Sequence, residues 1–505
     1  MIFLVDFENT HASGFDGYHY LTEQDTLVVY YSDENSALQK GVVEDLKEKA
    51  VHVRMVKLLK QHSNALDMYI ASTTGMFLDT GEKICIVSKD KGYAAVRDFW
   101  HSLRGAEILL GETIEECFLH SVANDDERIR RVKERSQKVR ALTDPNMRFI
   151  PFLGSSEWIR FDSVHPAVLA EKYHRPYRPY FLGQAGAASL NQYFGLQQIL
   201  PEIENKQAVF VISPQWFTET DYEPAVFQRF FNSDQLTAFL GNQSGDIAAK
   251  HAAIRLLKQN PNVALKGIVQ KLSKGEELSD VDQVAIDIFA RFNEKQSALF
   301  GQFSIRGQLK YKEHVENYLK DLPDQFSYEE LEKIARKDAE ANTNNNDMGI
   351  ENQFYKTQVK DYLEKYKGYQ KNYNFLKSSE YNDLQLVLNQ FAKSKVNVLF
   401  VIQPVNKKWM AHTGLSEGMY QHAVEKIRYQ LESQGFTNIA DFSKKGGDPY
   451  FVKDTIHIGW LGWLAFDKVV NPFLTDPTPA PDYKMNDRFF SQDWANYDGN
   501  IKDFQ

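Results

Sequence analysis

An acid and an imidazole stand three residues apart near the end of the chain, in the segment VKDTIHIGWLGW at residues 452–463. Asp454 can accept a hydrogen bond from the Nδ1–H of His457, which fixes the tautomer and leaves Nε2 to take a proton from a nucleophile. The two cysteines, Cys85 and Cys117, both lie in the first quarter of the chain. The missing nucleophile is therefore expected to be a serine.

A serine in the required setting follows an apolar run in the segment FIPFLGSSEW, at residues 149–158. The run predicts a strand that ends at Gly154, so Ser156 stands where a helical turn begins. Backbone N–H groups at such a start can stabilise an oxyanion. Two later turns predict further oxyanion donors, the backbone N–H of Gly186 in YFLGQAGAAS and the side-chain amide of Gln215 in VISPQW.

Each of these motifs also has a purely structural interpretation. Two serines after a strand are most often a loop and a helix cap, and an acid three residues before a histidine is most often an ordinary pair. The order along the chain favours catalysis instead. The serine follows the first predicted strand of this part, the glycine the second, the amide the third and Asp-x-x-His the last.

That order resembles the SGNH hydrolase superfamily, a three-layer α/β/α fold in which Asp-x-x-His comes near the end of the chain. Longer motifs, PFLGSSEWIRFDSVHPAVLAEKY, RPYRPYFLGQAGAASLNQYF and KDTIHIGWLGW, resemble the DltD family of D-alanyl transfer proteins in Gram-positive lipoteichoic acid biosynthesis. The resemblance covers residues 147–505. It implies Ser156 as nucleophile, His457 as general base and Asp454 as its orienting acid. Gln215 stands where the superfamily has an asparagine.

The resemblance implies transfer of D-alanine onto lipoteichoic acid through a seryl ester, a reaction that needs no cofactor. The D-alanyl donor would be a carrier protein or a membrane acyltransferase of the same pathway. Two other functions fit the same residues: a thioesterase that hydrolyses D-alanyl carrier protein, and a non-catalytic scaffold that binds teichoic acid or carrier. Trp460 and Trp463 are expected to keep the site dry or to pack in the core. Arg175 and Arg178 are candidates for contacts with acceptor phosphates, although an ordinary surface role is the simpler interpretation.

Carboxylates also follow apolar strands in the first part of the chain. Asp6 ends MIFLVD, Asp90 follows EKICIVSK, and Asp67 lies on the predicted helix that leads into that second strand. The carboxyl ends of parallel strands meet at one edge of a sheet, and hard divalent cations prefer oxygen ligands. The three acids therefore predict a Mg²⁺ or Mn²⁺ site that activates water for phosphodiester cleavage.

The pattern over residues 1–120 resembles PIN-like or NYN ribonuclease domains, in which the three acids match the metal-binding positions. The resemblance implies RNA as a partner and Asn9 as an additional polar group at the metal or RNA site. Gly92 stands where a further acid often occurs. A metal-free interaction domain is the alternative to a metal-dependent ribonuclease.

The predicted fold class is α/β, with two doubly wound parallel-sheet domains. A PIN-like domain of NYN type is expected over residues 1–122, followed by a charged helical linker at 123–146. An SGNH-hydrolase-like domain with three α/β/α layers is expected over 147–505, with a helical insertion at about 250–395. The basic residues of 128–140 are candidates for phosphate contacts, although a solvated connector is the simpler interpretation.

The composition, 43% hydrophobic with a formal net charge of -9, is that of a globular protein and argues against one that coats nucleic acid. No apolar run reaches the roughly 18 residues of a membrane span. The N-terminal segment reads as a core strand and not as a signal peptide. The chain as written is thus expected in the cytoplasm, whereas the DltD resemblance implies the outer face of the cell membrane.

Overall fold

The structure, a computed structural model, describes residues 1–18, 21–23, 25–32, 40–58, 65–80, 82–104, 106, 108–117, 138–183, 185–300 and 312–504. The chain divides into two compact units, Met1–Arg130 and Arg131–Gln505. Each unit has a parallel sheet flanked by helices, which confirms the predicted α/β class with two parallel sheets. Most of the predicted linker lies outside the described residues, and positions 138–142 form a helical turn.

The first unit contains a five-stranded sheet in the order β3-β2-β1-β4-β5, with all neighbours parallel. The first strand is central and wholly buried, as its unbroken apolar run predicts. The strands are β1 (Ile2–Asp6), β2 (Thr26–Tyr31), β3 (His52–Lys57), β4 (Ile84–Val87) and β5 (Ile108–Gly111). The helices are α1 (Phe7–Thr10), α2 (Lys40–Glu48), α3 (Ala65–Phe77) and α4 (Tyr93–Arg104).

The sheet of the second unit also has five parallel strands, in the order β10-β9-β8-β6-β7. All five were predicted from their apolar runs. They are β6 (Phe149–Leu153), β7 (Arg178–Phe181), β8 (Gln207–Ile212), β9 (Asn397–Ile402) and β10 (Ile439–Asp441). The chain leaves β6 towards β7 and then crosses back to β8, so the strand order reverses beside β6. Ligands of open α/β sheets bind at the carboxyl ends of the strands at such a point.

Helices cover both faces of the second sheet. Phe210 and Ile212 of β8 belong to one hydrophobic cluster and Val209 and Val211 to another, because successive side chains of a strand point to opposite faces. The helices are α5 (Pro166–Lys172), α6 (Ser189–Gln197), α7 (Leu200–Ile203), α8 (Pro224–Phe230), α9 (Ser233–Asn242), α10 (Ile247–Gln259), α11 (Lys266–Lys274), α12 (Asp280–Phe300), α13 (Asn317–Leu319), α14 (Tyr328–Asn342), α15 (Asn352–Phe354), α16 (Leu363–Tyr366), α17 (Glu380–Lys393), α18 (Lys407–Thr413), α19 (Glu417–Glu432), α20 (Trp460–Thr475) and α21 (Gln492–Asn496).

The connection between β8 and β9 is mainly helical and forms the insertion expected from the sequence. Its helices begin at Pro224, before the predicted start near residue 250, and continue to Lys393. Asn232 and Gln235 form a capping box that starts α9, and Asp246 caps α10, which explains two of the early helix starts. Over the ranges described, no helix is both long enough and apolar enough to cross a membrane.

Candidate active site

The structure brings together the three residues of the predicted serine site. Ser156 Oγ lies 2.7 Å from His457 Nε2, although the two residues are 301 positions apart in the chain. His457 Nδ1 lies 2.8 Å from Asp454 Oδ2 and 2.9 Å from Oδ1. The carboxylate accepts, so Nδ1 carries the proton and Nε2 presents its lone pair to the serine hydroxyl. This arrangement can remove a proton from Ser156.

A closed loop sets the spacing between the acid and the histidine. Val452 and Ile458 form an antiparallel bridge at the base of the loop. Inside it, Asp454 Oδ1 accepts the backbone N–H groups of Ile456 and His457, each at 3.0 Å. The Asp-x-x-His spacing thus follows from a turn in which the carboxylate is bonded to both the main chain and the ring.

The site keeps Asp454 ionised. Burial by itself would raise the pKa of this carboxyl, but His457 and Arg160 oppose that effect and hold the pKa at about 2. Arg160 Nε lies 3.0 Å from Asp454 Oδ2. Since the carboxyl group is 1% exposed, these partners decide its charge. Asp454 is therefore an anion at neutral pH and can stabilise an imidazolium at His457.

The serine lies on a tight turn at the end of β6. A 3₁₀ turn, Ser156–Ile159, follows Gly154, where an added Cβ would lie 2.9 Å from Glu157 Oε2. The buried Glu157 carboxylate accepts the backbone N–H of Ser155 and, at 2.8 Å, the hydroxyl of Ser213. Glu157 thereby ties the turn to the end of β8. Sequence reasoning missed this acid, although its place one residue after the predicted nucleophile was a usable signal.

The loop after β7 passes directly against the same turn. A Cβ at Gly183 would lie 2.5 Å from the main-chain oxygen of Ser155 and 2.5 Å from Cδ1 of Trp158. We expect Gly183→Ala to destabilise the second unit by about 1–3 kcal/mol and to lower its activity, because neither neighbour can move freely. Urea unfolding followed by tryptophan fluorescence measures the change in free energy of unfolding.

Gly241→Ala is the matched control. Gly241 lies in α9 with nothing within 4 Å of an added Cβ, so alanine there is expected to be neutral or to stabilise by up to about 1 kcal/mol. Equal stability of the two variants would mean that Gly183 is not tightly packed against the serine turn.

The hydrogen bonds given for the two predicted oxyanion donors, Gly186 and Gln215, do not involve Ser156. The backbone N–H of Gly186 donates to Ser155 Oγ at 3.1 Å, next to the nucleophile. Gln215 lies on the 3₁₀ turn Pro214–Trp216, and its Oε1 is buried without a hydrogen-bond partner among the described residues. Both oxyanion assignments stay predictions.

Exposure distinguishes the two adjacent serines. Ser155 is 3% exposed, whereas Ser156 is partly exposed. The serine that contacts the imidazole is thus also the more exposed of the two.

Aromatic side chains pack against Trp158 of the serine turn. Trp158 stacks on Trp463, with ring centres 6.0 Å apart, and on Phe181 at 5.2 Å. Trp460 and Trp463 are each 1% exposed. Both tryptophans therefore pack in the core, which was one of the two roles expected for them.

The two arginines considered for phosphate contacts are engaged elsewhere. Arg175 is buried, and its Nη2 lies 2.7 Å from Asp467 Oδ2. Arg178 Nε lies 2.8 Å from Glu171 Oε2. For Arg175 both suggested roles are wrong, the contact with an acceptor phosphate and the ordinary surface role, because its guanidinium is buried against a carboxylate.

A second buried acid lies near the serine turn. Glu380 accepts the backbone N–H of Ser189 at 2.8 Å and, with Ser155 and Glu157, borders a cavity of about 20 Å³. A cavity of this size can hold about one water molecule. Burial, followed by the nearby Asp383, raises the pKa of Glu380 from 4.5 to about 8.

This raised pKa predicts a pH-dependent stability. Between pH 4.5 and about 8, the folded protein retains a proton at Glu380 that the unfolded chain releases, so this residue's contribution to stability falls as pH rises. We expect Glu380→Gln to raise the melting temperature more at pH 8 than at pH 5, by about 2–4 °C. Tryptophan fluorescence measures the melting temperature of the second unit, since six of the seven tryptophans lie there.

Glu432→Gln is the control for this prediction. Glu432 is 46% exposed and pairs with Arg428 on the surface of α19, so its replacement should have the same small effect at both pH values. An equal gain from Glu380→Gln at the two pH values would contradict the raised pKa.

In the first unit, Asp6 is the centre of a hydrogen-bonded group. Its buried carboxylate accepts from Asn9 N at 3.1 Å, Asn9 Nδ2 at 2.6 Å, Ser88 Oγ at 2.9 Å and the Tyr93 hydroxyl at 3.3 Å. Burial, and then Asp6 and Asp67, raise the pKa of Tyr93. The structure therefore joins Asp6 to Asn9, Ser88 and Tyr93, and Asp67 lies near enough to Tyr93 to raise the pKa of its hydroxyl.

The Asp90 carboxylate has a hydrogen-bond partner two residues away, since its Oδ1 accepts the backbone N–H of Gly92 at 2.7 Å. In the part of the chain that the structure describes, no three His, Cys, Asp or Glu side chains are grouped so as to hold a metal ion. The carboxylate of Asp6 is bonded to protein donors in this structure. The metal site and the RNA partner stay predictions, and we derive no catalytic step from a metal.

Comparison with known proteins assigns both parts of the chain. Residues 127–475 match the family described as DltD protein, and residues 1–108 match the PIN domain family. A relative named Protein DltD from Lacticaseibacillus rhamnosus is 41% identical over 365 residues, which cover 70% of this chain and 84% of the relative. The chain belongs to the DltD protein family. The region matched to DltD contains Ser156, Asp454 and His457.

More distant DltD proteins match a similar share of the chain. Protein DltD of Bacillus subtilis is 29% identical over 337 residues, 66% of this chain and 83% of that protein. Protein DltD of Staphylococcus aureus is 26% identical over 345 residues, 67% of this chain and 84% of that protein. The DltD and PIN resemblances inferred from the sequence motifs are both confirmed.

Proposed function

We propose that the DltD part of this chain transfers D-alanine to lipoteichoic acid, with Ser156 carrying the acyl group as an ester. The observation that carries the proposal is the 2.7 Å contact between Ser156 Oγ and His457 Nε2. The ionised Asp454 behind the ring and the partial exposure of Ser156 support it. Acyl transfer through a serine needs these three groups and no cofactor.

The first half of the proposed reaction forms the acyl-enzyme. Ser156 Oγ attacks the carbonyl carbon of the D-alanyl donor while His457 Nε2 takes the hydroxyl proton. The bond from that carbon to the donor's sulfur or oxygen then breaks, and the imidazolium returns the proton to the leaving group. Asp454 stabilises the imidazolium between these two events.

The second half repeats these steps with the acceptor. A hydroxyl of lipoteichoic acid gives its proton to His457 as its oxygen attacks the seryl ester. The ester bond to Ser156 Oγ breaks, and the serine recovers its proton from the imidazolium. Water attacking in place of the acceptor would give a thioesterase, so the fate of the acyl group distinguishes the two functions.

A product assay tests this function. The full chain is given D-alanyl carrier protein with and without lipoteichoic acid, and D-alanyl ester on the polymer and free D-alanine are both quantified. Transfer predicts polymer-bound ester as the main product. Free D-alanine at the same rate without polymer would identify a thioesterase instead. Formation of polymer ester only when a separate acyltransferase is supplied, unchanged in Ser156→Ala, would identify a scaffold.

We also propose that the DltD part acts where lipoteichoic acid is anchored, on the outer face of the cell membrane. Digestion of whole cells by an added protease tests this location. Loss of the DltD part from intact cells supports it, whereas protection until the cells are lysed contradicts it.

A further inference from the structure

Arg160 closes a ring of contacts around the three residues of the serine site. It lies four positions after Ser156, at the end of the same 3₁₀ turn. Its Nε is 3.0 Å from Asp454 Oδ2. Asp454 is bonded to His457, and His457 to Ser156. The contacts run from Arg160 to Asp454, His457 and Ser156, and the main chain of the turn connects Ser156 back to Arg160.

The position of Arg160 is itself held by neighbours. Its main-chain oxygen accepts the indole N–H of Trp463 at 3.2 Å, and its guanidinium carbon lies 5.1 Å from the ring centre of Phe354. The side chain is 26% exposed, so its charge is only partly screened by solvent. These contacts place a fixed cation beside the acid of the site.

The contact geometry identifies which group Arg160 binds. Arg160 Nε is also 3.3 Å from His457 Nδ1, but both nitrogens carry hydrogens when the ring donates to Asp454. The guanidinium therefore donates to Asp454 Oδ2. One carboxylate is shared between a permanent cation and the imidazole that becomes charged during the reaction.

Other charged groups near the site have partners of their own within the described residues. The ammonium of Lys453 donates to the main-chain oxygen of Phe161 at 2.6 Å. Two carboxylates accept main-chain N–H groups: Asp162 accepts from Trp460 at 2.8 Å, and Glu351 accepts from Phe354 at 2.7 Å. The carboxylate of Glu157 accepts the hydroxyl of Ser213 at 2.8 Å. Among the described residues, Arg160 is the guanidinium or ammonium group in ion-pair contact with the Asp454 carboxylate.

We propose that Arg160 is a positioning residue that fixes Asp454 against His457 and shares the Asp454 carboxylate with the imidazole. The inference rests on the acyl-transfer function proposed above. Removing the cation leaves the full charge of Asp454 to the imidazolium, so His457 should become the stronger base. Removing the Arg160 side chain also breaks the link between Asp454 and the serine turn. Turnover should therefore fall, because Asp454 no longer holds His457 in place as firmly.

The test compares Arg160→Gln, Arg160→Lys and the surface control Arg428→Gln in the full chain. Arg428 is 44% exposed and lies on α19. The first readout is the pH dependence of kcat/KM for a 4-nitrophenyl ester. For Arg160→Gln, we expect the acidic limb to move up by about one pH unit and the plateau to fall about tenfold. Arg160→Lys should keep the wild-type limb and recover part of the plateau, and Arg428→Gln should match the wild type.

The second readout does not depend on activity. The titration of His457 is followed by NMR on histidine-labelled protein, with His457→Gln used to assign the signal. An upward move of about one pH unit in Arg160→Gln supports the inference even if the wild type forms no acyl-enzyme, which would contradict only the proposed function. An unchanged His457 titration in Arg160→Gln would overturn the inference, whatever happens to the plateau.

Discussion

Replacing Ser156 with alanine is expected to lower D-alanyl transfer by on the order of 10⁵-fold or more. No oxygen then remains at the position 2.7 Å from His457 Nε2, so the seryl ester cannot form. Initial rates of D-alanyl ester formation on lipoteichoic acid measure the loss. Circular dichroism should show an unchanged fold, since the substitution removes one partly exposed atom.

The neighbouring serine provides a matched control. Ser155 Oγ accepts the backbone N–H of Gly186 at 3.1 Å and is buried, so Ser155→Ala removes the hydrogen bond with Gly186 but not the proposed nucleophile. A loss of about tenfold or less is expected, because removing a hydrogen bond of this kind costs about 1 kcal/mol and leaves the nucleophile in place. Equal losses in the two variants, or a larger loss in Ser155→Ala, would contradict the choice of Ser156.

The second large effect is expected for Asp454→Asn, which should reduce turnover by roughly 10⁴-fold. The amide keeps the size of the side chain but supplies no negative charge to the imidazolium, and it leaves Arg160 without its anionic partner. The acidic limb of the pH profile should move to lower pH, because His457 becomes a weaker base. This direction is opposite to that expected for Arg160→Gln.

Asp448→Asn is the control for the acid. Asp448 is 49% exposed and pairs with Lys445 a few residues before the catalytic loop, so its loss should change turnover by less than about twofold. Steady-state kinetics over a pH series measure both variants. Retention of more than about a tenth of wild-type turnover by Asp454→Asn would show that the carboxylate does not support the base.

The sequence predicted the positions of most strands because their apolar runs are long enough to identify. In the second unit all five strands were recognised. In the first unit β5 (ILLG) was missed, whereas β4, which is equally short, was identified. The order of the strands in the sheet places the ends of β6 and β8 side by side. The order of the motifs along the chain could therefore indicate which residues lie near one another.

Contacts between distant side chains could not be predicted in the same way. The role of Arg175 was misjudged because its partner, Asp467, lies 292 positions away. The sequence motifs did not single out Arg160 or Glu157, because their partners come from the folded loop at Asp454 and from the end of β8. Residue types and spacing predict which groups can react, whereas tertiary packing decides what holds them.

The predicted acids of the first unit illustrate the same difference. Asp6 ends β1, and Asp90 follows the adjacent strand β4, as the alternation of strands and helices indicated. Asp90 accepts from the nearby Gly92, whereas Asp6 accepts both from the nearby Asn9 and from the distant Ser88. The pattern predicted where along the sheet these acids lie, whereas their hydrogen-bond partners follow from the fold.

The central claim is that Ser156 is the nucleophile of this site, and covalent labelling tests it most directly. The full chain is incubated with a serine-reactive fluorophosphonate, digested and mapped by mass spectrometry. We predict one adduct on the peptide containing Ser156, no adduct on that peptide in Ser156→Ala, and much slower labelling in His457→Ala. Labelling that is unchanged in Ser156→Ala, or an adduct on a different residue in the wild type, would contradict the account.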